Sequence, residues 1–147
     1  MGLPGRIDAS VYTGIRDVLS RHPKITTVGF DPDSISKEYI RASIAPDRIE
    51  PPTGPEPPLL EVEWRFRRET ESYRIHYADP NTGFNCGWHR DEDHPDFGSV
   101  HFQCEHRSTR ESDRIRAEFT KSVPTEILWT AFHRLFETKI QAYTSTR

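Results

Sequence analysis

Apolar and polar residues alternate most cleanly between Leu60 and Arg67, where Leu60, Val62, Trp64 and Phe66 interleave with Glu61, Glu63, Arg65 and Arg67. A period of two places successive side chains on opposite faces, so this segment predicts a half-buried strand. Tyr73, Ile75 and Tyr77 alternate with Arg74 and His76 in the same way. The short link Glu69-Thr70-Glu71 joins the two as a hairpin. Asp79-Pro80-Asn81-Thr82-Gly83 is a strong turn signal. Phe84 to Arg90 and Val100 to His106 follow as further strands, separated by a polar loop from Asp91 to Gly98. Upstream, Ile25 to Phe30 is rich in β-branched residues and reads as a strand. Lys37 to Ile44 is either a strand or a helix. Arg107 to Arg116 is highly charged and reads as an exposed segment, with Ala117 to Phe119 adding a short strand.

The pattern changes period at both ends. Val11, Ile15, Val18 and Leu19 form one helical stripe behind Asp8, which can cap the first turn. His22-Pro23 stops that helix, because the residue before a proline resists the α region. Leu128, Ala131, Phe132, Leu135 and Phe136 form a second stripe. It predicts a helix from about Pro124 to about Lys139, followed by a loose tail over 142–147. Pro46 to Pro58 holds six prolines and is a stiff loop rather than a domain boundary. The expected fold is therefore a single α+β domain over residues 1–147. In it an antiparallel sheet of about five strands packs against an N-terminal and a C-terminal helix.

Composition limits this picture without changing it. Only 33% of the 147 residues are apolar, but 16 aromatic residues supply bulk for one core. The net charge of −3 excludes a uniformly basic nucleic-acid binder and leaves room for a local basic face. No apolar run is long enough to span a membrane and no leader pattern is visible, so a soluble, cytoplasmic protein is expected. Two cysteines are too few for a disulfide framework.

Five of the seven histidines fall between His76 and His106, together with Arg74 and Arg90. On adjacent antiparallel strands, side chains of one face converge. Arg74 and His76 share the face opposite the aromatic residues of their strand, and His101 alternates with Phe102. A polar face bearing Arg74, His76 and His101, with the segment from His89 to Asp96 folded over it, is the expected working surface. Imidazoles that titrate near neutrality and guanidinium forks suit metal-independent cleavage of RNA by its own 2′-hydroxyl. His89, His94 and His101 are candidates for proton transfer, and Arg74 and Arg90 for the phosphate clamp. His76, Tyr73, Asp96 and Trp88 are candidates for substrate binding, with Tyr73 or Trp88 stacking a base. No cofactor is required.

Cys86, His89, His101 and Cys104 also form a C-x2-H…H-x2-C pattern, which permits a zinc site. Residues three apart on a regular strand point to opposite faces, which argues against it. His133, among apolar neighbours, reads as a packing residue.

The run Tyr73-Arg74-Ile75-His76-Tyr77-Ala78-Asp79, then Gly87-Trp88-His89-Arg90-Asp91-Glu92-Asp93-His94-Pro95-Asp96, then His101-Phe102, resembles the TumE-type toxin family. The likeness spans roughly Leu59 to Ile140. His94, Pro95, Asp96 and His101 match the family signature, and Arg74 and His76 match the strand before it. An aspartate of the family pattern is replaced by His89. The resemblance implies a toxin of a toxin–antitoxin pair acting on RNA or translation, with a small helix-turn-helix antitoxin as partner. The alternatives are a non-catalytic protein-binding module and a small zinc-binding domain.

Overall fold

The computed structural model describes residues 3, 5–68, 70–90, 100–106 and 112–144, with the side chains of residues 106, 112–114, 143 and 144 set aside. His94 and Asp96, with the whole polar loop between the fifth and sixth strands, lie outside the described residues.

The chain opens with helix α1 (Ala9–Arg21), which Asp8 caps by accepting hydrogen bonds from the backbone N–H groups of Ser10 and Val11. Seven strands follow: β1 (Ile25–Asp31), β2 (Tyr39–Ile44), β3 (Leu59–Phe66), β4 (Glu71–Ala78), β5 (Phe84–Arg90), β6 (Val100–His106) and β7 (Ser112–Arg116). They form one antiparallel sheet in chain order, each strand paired with the next. Helix α2 (Pro124–Arg134) continues through a π turn (Leu135–Lys139) into α3 (Ile140–Thr144).

The sheet buries one face against the helices. Ile40, Val62, Ile75, Trp88 and Phe102 form a row across five strands. Ala42, Leu60, Tyr77, Cys86 and Cys104 form the next. Both rows pack with Tyr12, Ile15 and Leu19 of α1 and with Leu128, Ala131, Phe132 and Leu135 of the C-terminal helix. Trp64 and Tyr73 stack at 4.3 Å between ring centroids, closing one end of the core. Where β2 turns away from β3, Tyr12 crosses from α1. Its hydroxyl accepts from the Trp64 N–H at 3.2 Å and donates to the Glu38 carbonyl at 2.7 Å, so neither backbone group is stranded.

The α+β architecture with a helix at each end agrees with the pattern of the sequence, and the sheet is wider than five strands. The segment 39–44 is a strand. The last strand is Ser112–Arg116, inside the charged stretch read as merely exposed. Ala117, read as part of a strand, contributes one further bond, from its N–H to the Val100 carbonyl. The terminal helix extends to Thr144, so the tail begins later than residue 142. His133 is exposed rather than packed. His22 takes the packing role: its ring lies 5.1 Å from Phe132 and 5.4 Å from Trp129. Burial pushes its pKa down, with Lys24 adding to the effect.

The proline-rich loop is pinned to the β4–β5 turn by Asn81. Its amide oxygen accepts from the Glu56 N–H at 2.9 Å, and its NH₂ donates to the Glu56 carbonyl at 2.8 Å and to Asp79 at 2.9 Å. A Cβ on Gly54, which sits at φ 154, would lie 2.4 Å from Asn81 Oδ1, so only glycine fits there. No helix among the described residues is long and apolar enough to cross a membrane.

Candidate functional site

The face turned away from the helices is polar, and its two halves differ. On β1 to β3, opposite charges meet. Arg41 lies 3.8 Å from Asp31 and 3.7 Å from Glu61. Buried Glu63 takes Arg65 at 3.0 Å and the Leu3 N–H at 2.9 Å. On β4 to β6 the row is cationic and imidazole-bearing: Arg74 pairs with His89, His89 with His101, and His101 with Arg116 on β7. The pleat spaces neighbouring strands by about 4.8 Å, so Arg74 and Arg116 stand roughly 14 Å apart along this row.

At its centre the His89 and His101 rings meet edge to face, with centroids 5.2 Å apart and planes at 76°. His101 is fully buried and His89 is half-buried. Arg74 makes no ion pair among the described residues, although Glu61, Glu63 and Tyr39 join it around a cavity of about 80 Å³. Its neighbour on β3 is Glu63, and its neighbour on β5 is His89.

Two residues along β4 from Arg74, His76 faces Gly87. A Cβ on Gly87 would lie 2.3 Å from the Ile75 carbonyl oxygen and 3.3 Å from His76 Nδ1, so the bare glycine makes room for the imidazole. This is a cross-strand cover of glycine by a ring. Nδ1 of His76 is buried without a hydrogen-bond partner among the described residues. Burial, and secondarily the charge of Arg74, lowers the His76 pKa to about 4. The ring is neutral at pH 7.

The structure thus brings together Arg74, His76, His89 and His101, and it adds Arg116, which the sequence reading passed over. Alternation along β7 would have placed Arg116 on this face, had the strand been recognised. Three candidates fall elsewhere. Tyr73, Trp88 and Arg90 occupy the helix-side rows, because each is one residue out of phase with Arg74 or His89. Tyr73 and Trp88 are buried, with 1% exposure each, and cannot stack a base on the histidine face. Burial drives the Tyr73 hydroxyl well above its usual pKa. Arg90 lies across from Tyr73 and cannot clamp a phosphate held by Arg74.

The zinc pattern is split by the same geometry. Cys86 and Cys104 are cross-strand neighbours in the helix-side core, whereas His89 and His101 lie on the other face. No group of three or more potential metal ligands occurs among the described residues. Burial raises the Cys86 thiol pKa well above normal, with Cys104 beside it adding to the shift.

The chain matches no family model, no curated protein and no solved structure.

Proposed function

We propose that the chain is the toxin of a toxin–antitoxin pair and cleaves RNA without a metal ion at the row Arg74–His89–His101–Arg116. The observation that carries this reading is the contact between the His89 and His101 rings, with an arginine on the next strand at either side. A 2′-hydroxyl attacks the adjacent phosphorus as its proton passes to an imidazole. The bond to the 5′-oxygen breaks, and that oxygen takes a proton from an imidazolium. The products are a 2′,3′-cyclic phosphate and a 5′-hydroxyl. Half-buried His89 takes the proton from the 2′-hydroxyl and returns it to the leaving 5′-oxygen, and His101, packed edge to face behind it, holds the His89 ring in place. Arg74 and Arg116 hold the phosphate oxygens as charge builds on them. His76, neutral and next to Arg74, offers a hydrogen bond rather than a charge.

Incubation of the purified protein with total RNA in excess chelator is expected to give fragments with cyclic phosphate ends. His89→Ala is expected to lower the rate by about 10²-fold or more, the contribution of a positioned acid or base. Intact RNA at protein levels that arrest growth would refute the activity. Co-expression with a small helix-turn-helix antitoxin, the partner this reading requires, is expected to restore growth and to co-purify the two chains. The complete burial of His101 favours one other reading, a non-catalytic face that binds a protein partner. In that case His89→Ala abolishes co-purification, and the wild-type protein leaves RNA whole.

A further inference from the structure

Strands β5 and β6 carry the only two cysteines of the chain, Cys86 and Cys104, and the register sets them directly opposite one another. Directly opposed residues of an antiparallel pair have Cα atoms about 4.5–5.5 Å apart, inside the roughly 4.4–6.8 Å that a disulfide spans. Both are thiols in this structure, on the helix side of the sheet, and the Cys104 thiol acts electrostatically on that of Cys86. With no third cysteine in the chain, this is the one disulfide a single copy can make.

The pair stands behind the histidine row. Three residues along each strand, and therefore on the opposite face, His89 meets His101. The register of β5 on β6 is what sets those two rings against each other, and a slip by one residue would turn either ring into the core. A covalent bond between Cys86 and Cys104 fixes that register from the other face, without a new group on the polar side.

We propose that Cys86 and Cys104 are a redox pair, which a peroxide converts to a cross-strand disulfide and a thiol reductant reopens. Cys104, 4% exposed, reacts first, and Cys86, with no exposure, closes the bridge. The Cys104 sulfur attacks one peroxide oxygen, the O–O bond breaks, and the second oxygen leaves as water with the thiol proton, which gives a sulfenic acid. The Cys86 sulfur then attacks the sulfenic sulfur, the S–S bond forms, and the sulfenic oxygen leaves as a second water. The peroxide gains the two electrons that the thiols lose. Burial keeps the Cys86 thiol protonated, and Lys139 on the terminal helix opposes that effect. Oxidant reaches the pair only as the strands open locally, so the bridge records sustained peroxide rather than a brief pulse. The pair works in this way whether or not the polar face cleaves RNA.

The test exposes the full chain to hydrogen peroxide under conditions that leave its circular dichroism native, then blocks remaining thiols with an alkylating agent and maps the peptides. A peptide linked through Cys86 and Cys104, lost on treatment with dithiothreitol, is expected. The oxidised chain is expected to unfold at a higher urea concentration than the reduced chain, because the bridge closes residues 87–103 into a loop in the unfolded state. In Cys86→Ser, the same treatment is expected to leave oxygen on Cys104 or to join two chains through it. Alkylated thiols throughout, oxygen added to either cysteine of the wild type without a bridge, a bridge between two wild-type chains, or a lower urea midpoint after oxidation overturns the proposal. The wild-type measurements decide it even if the variant does not fold.

Discussion

His76 shows how one side chain ties the polar face to stability. Its folded pKa of about 4 lies below the usual histidine value of 6.5. Between those two values the unfolded chain binds a proton that the folded chain refuses. Stability therefore rises with pH across this window, and falls as the pH is lowered from about 6.5 to about 4; below that both states are protonated and the effect is complete. The full shift corresponds to up to about 3 kcal/mol. Urea unfolding at pH 7 and at pH 4.5 is expected to show this loss in the wild type and a clearly smaller loss in His76→Gln. Equal losses in the two proteins would mean that the ring is well solvated. At this scale the sequence was legible wherever alternation was followed through. Arg74, His76, His89 and His101 share a face because each stands an even number of positions from its neighbour's register partner. Arg90, next to His89, follows the same rule onto the other face. Chemical type suggested Arg90 as a clamp, but the pleat of the sheet decides where it stands.

Elements reveal what alternation does not. Leu59–Phe66 and Glu71–Ala78 stand out in the sequence because they bury one face and wet the other. Ser112–Arg116 does not, because an edge strand is held by its partner and is often charged. Its place follows from pairing with β6 and not from its own residues. The π turn at Leu135–Lys139 likewise has no signature, since the apolar stripe through Leu135 and Phe136 suits an unbroken helix equally well. Gly87 is the clearest dependence of one element on another. It lies mid-strand, where glycine is ordinarily unfavourable, yet a Cβ there would collide with the β4 backbone. Gly87→Ala is expected to force β4 and β5 apart and to destabilise the fold by about 2 kcal/mol or more, as for overpacking at a rigid contact. A midpoint of urea unfolding within error of the wild type would show that the two strands can yield. The same substitution displaces His76, so it is also expected to raise the His76 pKa toward the solution value.

The molecule as a whole carries its helices on one side, which leaves the other side of a seven-stranded sheet for polar side chains. That asymmetry fixes how an overall acidic chain can approach a polyanion. With a net charge of −3, long-range attraction is weak, and the RNA binding proposed above rests on the few cations of the β4–β7 row. For single-stranded nucleic acid, the logarithm of affinity falls with the logarithm of salt concentration by about 0.7 per phosphate neutralised. If RNA binds as proposed, Arg74 and Arg116, with or without one further contact from the row, account for two to three phosphates, so the slope is expected to be about −1.4 to −2.1. Arg74→Ala and Arg116→Ala are each expected to make it shallower by about 0.7. Titration of a short fluorescent RNA at several salt concentrations measures it. A slope near zero would remove RNA from the polar face. A slope steeper than about −4 would require many more phosphates than this row can reach, and would move the binding surface elsewhere on the molecule.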